Sequence, residues 1–509
     1  MNDEGKEPVI TLSSGRIRGV ESDGVRRFLG VPYAAPPTGE RRFAIPQPPE
    51  SWEGMRDAHS SGLIAPQPQP TAEELDALLP GLDIMPVIGV DQKTGDDHLV
   101  LNVWAPARGD KHPVLVFIHG GAFTGGAGSA PIYDGTALAR AGVVCVAINY
   151  RLGVEGFLPI PGIPTNLGLR DQIAALEWVR DNIAAFGGDP SAVTVSGESA
   201  GAMSLANLVV SPLAQGLFHR AIVQSGHGSM VRPVEIAQRL VVKLAKMLGV
   251  EPNIGGFRQA TVDDCVAALA KISQPKSRIN LRDREGREPA FGLSRFLPVF
   301  GDDVLPEHPL VALGNGAGRD IDLLIGTNRD EMNLYFVPPG IRRKIGRLLS
   351  YIAIRQSEPL AWKVLRAYRK LNPNWRPGDV FTESLTDLIF CLPARRYARL
   401  HQGRTHFYEF GWRSGAYNGE LGACHAIELP FVFNTLATVA GPKGLAGENP
   451  PQELADRMTA LWASYVRTGA LPWPEYDAQK QVVYIPEFDT AARDRDMPAD
   501  RIIPDYPAR

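Results

Sequence analysis

Two kinds of hydrophobic pattern alternate along most of this chain. Short runs of β-branched and other apolar residues predict strands, and longer stretches with apolar residues three or four positions apart predict helices. The clearest helix spans 169–186, where the apolar side chains recur at helical spacing and Gly-Gly-Asp-Pro ends the pattern. The predicted strands are 9–12, 15–20, 25–31, 99–104, 114–119, 142–149, 192–196, 221–225, 322–326 and 405–410.

The order of these elements predicts an α/β fold. The first three strands are short and joined by glycine turns, so we expect an antiparallel meander. The strands at 99–104, 114–119 and 142–149 are apolar on both faces, which is typical of a parallel sheet covered by helices. We therefore predict a central, mostly parallel, twisted sheet flanked by helices.

Two long helix-rich stretches, approximately 233–318 and 335–400, separate the later strands. We expect them to be excursions above the sheet that form the roof of a pocket. The 509 residues contain no linker, low-complexity tract or internal repeat. We therefore predict a single domain over 1–509, although this length would allow more than one.

The sequence Gly197-Glu198-Ser199-Ala200-Gly201 lies between a predicted strand and a predicted helix. This is the context of a nucleophile elbow, in which a sharp turn lifts a serine hydroxyl clear of the sheet at a helix N-terminus. Glycines two residues before and after the serine avoid collisions with the facing strand and helix. A bare Gly-x-Ser-x-Gly match also fits an ordinary glycine-rich loop.

A serine nucleophile needs a base, an acid that orients the base, and hydrogen-bond donors for an oxyanion. The stretch His119-Gly-Gly-Ala-Phe123 follows a strand, and its N–H groups could supply donors together with that of Ala200. Asp330 and Glu331 both follow the strand at 322–326, and spacing does not choose between them. His425 lies in a short polar loop after the last strong strand, but other late histidines remain open as the base.

The charge balance excludes several classes of partner. Lys and Arg number 53 and Asp and Glu number 56, so the net charge of −3 predicts neither nucleic acid nor an acidic membrane as a partner. No signal peptide or membrane-spanning run is visible. The four cysteines have no metal-ligand spacing, which favours a reduced, cytoplasmic protein. We also expect a monomer or a small homo-oligomer.

Together these stretches resemble the type B carboxylesterase family, which contains bacterial para-nitrobenzyl esterases, animal carboxylesterases and cholinesterases. The resemblance extends from about Phe28 to Phe433. Besides the serine and histidine stretches, the matching motifs are Phe28-Leu-Gly-Val-Pro-Tyr-Ala34, Asp96-Asp97-His98-Leu-Val-Leu-Asn-Val103, Asn149-Tyr-Arg-Leu-Gly153, Asn166-Leu-Gly-Leu-Arg-Asp-Gln172 and Phe186-Gly-Gly-Asp-Pro190.

The resemblance implies an α/β-hydrolase fold and a role for each candidate residue. By similarity Ser199 is the nucleophile, Glu331 rather than Asp330 is the triad acid, and His425 is the base. The implied oxyanion hole comprises Gly120 as a spacer and the N–H groups of Gly121, Ala122 and Ala200. The implied buried polar cluster behind the triad comprises Glu198, Ser225 and Glu428.

The resemblance also implies structural salt bridges between Arg42 and Asp96 and between Arg151 and Asp171. Two family cysteines that usually form a disulfide are replaced, one by His98 and the other by Ala65. Both losses fit a chain that stays in a reducing compartment. The intervening segment, 66–97, contains no Trp, Tyr or Phe, so choline esters should not be favoured substrates.

The leading functional prediction is a serine carboxylesterase that hydrolyses small-molecule carboxylic esters through an acyl-enzyme, without metal or cofactor. One alternative keeps the same triad and cleaves a carbamate or an aryl amide instead. A remote alternative is a cholinesterase-like interaction protein that has no catalytic activity.

Overall fold

The computed structural model of the chain describes residues 7–89, 92–274 and 276–505. Its strands are β1 Val9–Leu12, β2 Gly15–Arg18, β3 Val20–Ser22, β4 Val25–Pro32, β5 Met55–Asp57, β6 Val100–Pro106, β7 His112–Ile118, β8 Val144–Ile148, β9 Gly188–Glu198, β10 Arg220–Gln224, β11 Arg232–Pro233, β12 Val299–Phe300, β13 Asp322–Asn328, β14 Thr405–Phe410, β15 Val482–Ile485 and β16 Thr490–Arg493.

Its α-helices are α1 Ala72–Leu78, α2 Met85–Ile88, α3 Thr136–Arg140, α4 Gly153–Phe157, α5 Leu167–Asn182, α6 Ala200–Leu208, α7 Val234–Leu248, α8 Ile254–Gln259, α9 Val262–Ser273, α10 Pro309–Gly314, α11 Asn333–Phe336, α12 Ile341–Lys344, α13 Arg347–Arg355, α14 Ala361–Leu371, α15 Pro377–Thr386, α16 Leu392–Leu400, α17 Leu429–Val432 and α18 Gln452–Thr468. A π-helical turn, Asp387–Cys391, joins α15 to α16. None of the helices in these described ranges is long and apolar enough to cross a membrane.

Eleven strands form the main sheet, in the order β16-β15-β14-β13-β10-β9-β7-β8-β6-β4-β3. The seven strands from β15 to β8 in this order are parallel to one another. The remaining pairs, at the two margins, are antiparallel. The sheet is therefore mostly parallel, as the hydrophobic pattern predicts.

Two details differ from the pattern-based prediction. Strand β6 is antiparallel to both of its neighbours, because a strand buried on both faces has the same continuous apolar run in either direction. The predicted meander is divided between two sheets, since β1 and β2 pair with β5 while β3 and β4 join the main sheet. The division falls at Gly19, where a Cβ would lie 2.4 Å from the carbonyl oxygen of Arg27.

Helices cover both faces of the sheet, and each face has its own core. In β7, Val116 and Ile118 point into one core and Leu115 and Phe117 into the other, as the two-residue period of a strand requires. The first core contains side chains of α5 and α6, and the second contains side chains of α3 and α18. This double cover explains why the central strands are apolar on both faces.

The neighbouring strands β9, β10 and β13 are parallel, so their carboxyl ends meet at one edge of the sheet. Glu198, at the end of β9, pairs in register with Gln224, at the end of β10. Gln224 in turn lies opposite Gly326 of β13. The residues that follow these three strands are thereby brought together, at the edge where α/β sheets usually bind ligands.

Candidate active site

Ser199 occupies the sharp turn between β9 and α6, with φ of +53° and ψ of −123°. Such a conformation is costly for a residue with a side chain and concentrates at functional sites. The two flanking glycines leave room for the turn. A Cβ on Gly197 would lie 2.6 Å from the backbone of Gly201, and one on Gly201 would lie 2.0 Å from the carbonyl oxygen of Ile118.

The hydroxyl of Ser199 lies beside the imidazole of His425. The distance from Ser199 Oγ to His425 Nε2 is 2.8 Å, and His425 Nδ1 lies 2.6 Å from Glu331 Oε2. An Nδ1–H that donates to Glu331 leaves Nε2 free to accept the serine proton. The structure thus brings the three predicted triad residues together in one hydrogen-bonded chain.

Glu331 and Asp330 have different surroundings, although they are adjacent. The second oxygen of Glu331 accepts hydrogen bonds from the backbone N–H of Asn328, at 2.8 Å, and from the hydroxyl of Ser225, at 2.6 Å. The carboxylate of Asp330 instead accepts the N–H of Ala423, at 3.0 Å. The carboxylate of Glu331 therefore contacts the imidazole, and that of Asp330 ties its own turn to the loop that carries His425.

The loop after β7 approaches the serine closely. A Cβ on Gly120 would lie 3.1 Å from the Cβ of Ser199 and 2.7 Å from Glu198 Oε2. Gly121 has φ of +108° and Ala122 has φ of +55°, so the backbone turns sharply here. Among the described hydrogen bonds, the N–H groups of Gly121 and Ala122 donate none. Ala200 is the first residue of α6, where N–H groups also lack partners within the helix.

The three predicted cluster residues all lie close to the triad. Ser225 has φ of +53° and holds Glu331, as described above. Glu198 Oε1 lies 3.2 Å from His425 Nε2, without the geometry of a hydrogen bond. Glu428 accepts hydrogen bonds from Asn328 Nδ2, at 2.5 Å, and from Gln224 Nε2, at 3.2 Å.

Burial changes the acidity of these groups. Removal from water raises the pKa of Glu198 to about 8 and, together with the charge of Glu331, raises the pKa of Glu428 to about 7. Burial alone would lower the pKa of His425, but the carboxylates of Glu198, Glu331 and Glu428 outweigh it and raise that pKa to about 9. The site therefore holds more carboxyl groups than the single imidazole can balance.

Two aromatic rings from the second helix-rich stretch lie against the imidazole. The ring of Phe390 is 4.7 Å from that of His425, and the ring of Tyr335 is 5.8 Å from it. Phe390 belongs to the π-helical turn, a form of helix that is frequent at functional sites. The motifs did not indicate these two residues, nor Gln224 and Asn328. Only the glutamine and asparagine had a signal, since each lies at the end of a strand beside a predicted site residue.

Two cavities are lined by residues that are near the site residues in sequence. The lining of one, of about 110 Å³, includes His227 and Leu388. The other, of about 200 Å³, is lined by polar residues that include Asp330 and Arg329. Neither lining includes Ser199 or the imidazole.

Only one of the two salt bridges implied by the resemblance is present in the structure. Arg151 and Asp171 form a buried pair at 2.7 Å, but Arg42 pairs with Glu155, at 2.8 Å, and not with Asp96. The predicted pairing with Asp96 is wrong because Glu155, on helix α4, lies beside Arg42. The sequence did not indicate that this helix approaches Arg42. His98 is buried and its Nδ1 contacts the carbonyl oxygen of Gly95 at 2.8 Å.

Within the described ranges, no group of three or more His, Cys, Asp or Glu residues could hold a metal ion. All four cysteines are buried and unpaired.

The chain is similar to known proteins in both sequence and fold. The model of the carboxylesterase family matches residues 6–494. The chain is 37% identical over 493 residues to the para-nitrobenzyl esterase of Bacillus subtilis (strain 168), covering 94% of each chain. It is 33% identical over 510 residues to the phenmedipham hydrolase of Pseudarthrobacter oxydans, covering 96% of this chain and 97% of that one. A solved structure of a PNB esterase superimposes with a TM-score of 0.81 at 33% identity, covering 97% and 99% of the two chains.

The chain belongs to the carboxylesterase family. It has the α/β-hydrolase fold and is a carboxylic ester hydrolase. Both the resemblance and the fold class predicted from the sequence are thereby confirmed.

Proposed function

We propose that the chain hydrolyses carboxylic esters through a covalent acyl-enzyme on Ser199. The observation that carries this proposal is the continuous hydrogen-bonded chain from Ser199 Oγ through both nitrogens of His425 to Glu331. A nucleophile, a base and an acid in this order are the components of a serine hydrolase triad.

In the proposed mechanism, His425 removes the proton of Ser199 as the hydroxyl attacks the ester carbonyl. The imidazolium then gives this proton to the departing alcohol, and an acyl-enzyme remains on the serine. Water repeats the same two steps and releases the acid. Glu331 keeps the proton of the neutral imidazole on Nδ1 and stabilises the imidazolium.

The N–H groups of Gly121, Ala122 and Ala200 form the proposed oxyanion hole. Their support is the close approach of the loop to Ser199 and the lack of other acceptors for the N–H groups of Gly121 and Ala122 among the described residues. Gly120 acts as the spacer that keeps this approach open. One such donor is typically worth about 3–4 kcal/mol of barrier.

We further propose one domain over the whole chain, with the stretches 233–318 and 335–400 as the roof of the substrate site. The ring contacts of Tyr335 and Phe390 with His425 support this role for the second stretch. A cytoplasmic location and a monomer or small homo-oligomer remain part of the proposal, and the four unpaired cysteines support the former.

Titration with an organophosphate tests the nucleophile directly. We expect one phosphoryl adduct per chain, located by peptide mass spectrometry on Ser199, with activity lost in proportion. The Ser199→Ala variant should form no adduct. An adduct on another serine, or undiminished activity after full modification, would overturn the assignment.

The choice of scissile bond needs its own experiment, because the triad acts on any activated carbonyl. A series of p-nitrophenyl esters of increasing acyl length should be compared with one aryl carbamate and one anilide. We expect the highest kcat/KM among the esters. Faster turnover of the carbamate or anilide would favour the alternative reaction while leaving the triad unchanged.

A further inference from the structure

Several large apolar side chains of the second helix-rich stretch are exposed to solvent. Leu348 and Leu349 of α13 are 70% and 61% exposed, and Trp362 of α14 is 64% exposed. Ile352 is exposed too. Leu348 and Ile352 are one helical turn apart and share a face of α13. The ring of Tyr351 contacts that of Trp362 at 6.1 Å, so the two helices present one continuous apolar patch.

The same stretch is strongly basic. Residues 341–378 contain ten basic side chains and one acidic side chain, whereas the whole chain has 53 and 56. The single acidic residue, Glu358, is buried and accepts the N–H of Leu360. The basic residues of this segment are Arg342, Arg343, Lys344, Arg347, Arg355, Lys363, Arg366, Arg369, Lys370 and Arg376.

Most of this positive charge is not neutralised locally. Among the described ion pairs, the basic residues of this segment contribute only Arg342, Arg343 and Arg376. Arg347 and Arg355 flank the apolar residues of α13, and Lys363 is adjacent to Trp362. All three are exposed and form no described ion pair.

We propose that this patch, Leu348, Leu349, Ile352 and Trp362 with its basic rim, binds the surface of a lipid bilayer that carries anionic headgroups. Leu and Trp side chains surrounded by Lys and Arg are typical of helices that lie in a membrane interface. The basic side chains add electrostatic attraction to anionic lipid, and each is worth about fivefold in binding near such a surface. The overall charge of −3 conceals this local asymmetry, and the proposal therefore departs from the prediction, made from total charge, that an acidic membrane is not a partner.

Charge and shape favour this occupant over two others. A two-fold interface with a second copy would oppose the patch with itself, and so bring two basic rims together. An acidic protein would match the charge, but it would also need pockets shaped for each projecting apolar side chain, whereas a lipid interface accepts them without such pockets. Here Leu348, Leu349 and Trp362 expose around two thirds of their surface, so they project outward and can enter an interface between lipid headgroups.

This inference goes beyond the proposed function, and its test does not use catalysis. The purified protein is sedimented with vesicles of phosphatidylcholine containing about a third phosphatidylglycerol, and with vesicles of phosphatidylcholine alone. We expect binding to the anionic vesicles at low salt, at least tenfold weaker binding to the neutral ones, and loss of the difference in high salt as the charges are screened.

Two variants separate the apolar and the electrostatic contributions. Leu348→Ser with Trp362→Ser should lower binding to anionic vesicles by about tenfold or more, because it removes the inserted apolar area. Arg347→Glu with Lys363→Glu should lower it to a similar extent and should also weaken its salt dependence. Phe488→Ser is the matched control, since Phe488 is exposed outside this segment and its loss should change nothing.

Folding of each variant is checked by circular dichroism and by an unchanged melting temperature. No sedimentation with anionic vesicles, equal binding to neutral vesicles, or unchanged binding of both variants would overturn the proposal. So would a concentration-dependent dimer, seen by analytical ultracentrifugation and dissociated by Leu348→Ser with Trp362→Ser, because the patch would then be an interface between copies.

Discussion

Two buried groups of charges in this esterase follow different rules. Arg151 donates to both oxygens of Asp171 through its side chain and backbone, and its remaining terminal nitrogen donates to the carbonyl oxygen of Ala44. One positive charge meets one negative charge, and both are hydrogen-bonded. Around His425, by contrast, three carboxyl groups face one imidazole, and burial raises the pKa of two of them.

The comparison sets a charge pair that fixes the structure against a cluster that we propose transfers protons. Buried charges are tolerated when each has a partner and its hydrogen bonds are satisfied. The Arg151–Asp171 pair meets this condition in a single protonation state. Around His425, by contrast, the pKa values of Glu428, Glu198 and the imidazole are raised to about 7, about 8 and about 9, respectively. A catalytic acid or base works best with a pKa near the working pH. Four substitutions test this difference, and they are described from the largest expected effect to the smallest.

Ser199→Ala should have the largest effect on catalysis and little effect on folding. Its hydroxyl contacts His425 but no other described side chain, so its loss removes the nucleophile without opening the core. We expect kcat to fall by about 10⁴ or more, as is usual for a triad member. The measurement is turnover of a p-nitrophenyl ester, with the melting temperature as the control. A residual kcat above about a thousandth of the original would contradict the assignment.

Glu331→Gln should lower kcat by about 10²–10⁴, because the imidazolium loses its charged partner and the imidazole can adopt the wrong tautomer. Asp330→Asn is the matched control at the adjacent residue. Its remaining carbonyl oxygen can still accept the N–H of Ala423, so we expect less than about a tenfold loss. If Asp330→Asn were instead the more damaging change, Glu331 would not be the triad acid.

Asp171→Asn tests the structural side of the comparison. It leaves the Arg151 charge buried without a counter-ion, so the free energy of unfolding should fall by about 3–5 kcal/mol. Glu420→Gln breaks the exposed pair with Arg343 and should cost less than about 1 kcal/mol. Denaturant unfolding measures both. Similar losses in the two variants would mean that burial does not separate these pairs energetically.

The sequence predicted those features that depend on local geometry. The glycines around Ser199 and the strand before it are visible because the steric demands of the turn act within five residues. Asp330 and Glu331 could not be separated by spacing, because their difference lies in contacts with Ser225, Asn328 and Ala423. Only the family resemblance indicated the glutamate.

The contacts of the helix-rich stretches were beyond sequence reasoning for a similar reason. Phe390 reaches His425 through the path of α13 to α15 and a π-helical turn, and no periodicity encodes that path. The direction of β6 and the pairing of Arg42 with Glu155 also depend on how distant segments meet. In each case the residue type was visible and its partner was not.

Glu198→Gln should have the smallest effect on the maximal rate but should displace the pH profile. His425 must be neutral to accept the proton of Ser199, so the acid limb of kcat/KM follows the pKa of the imidazole. The carboxylate of Glu198 helps to raise that pKa to about 9. Its replacement by an uncharged side chain of the same size should lower the pKa of His425, and the acid limb should move to lower pH.

Glu428→Gln is the matched control for this prediction. Its acid limb should move by a smaller amount in the same direction, because the charge of Glu428 acts less strongly on the imidazole. If the acid limb stayed in place in Glu198→Gln, the side chain of Glu198 would already be protonated and uncharged in the unmodified protein. Glu331 alone would then set the basicity of His425.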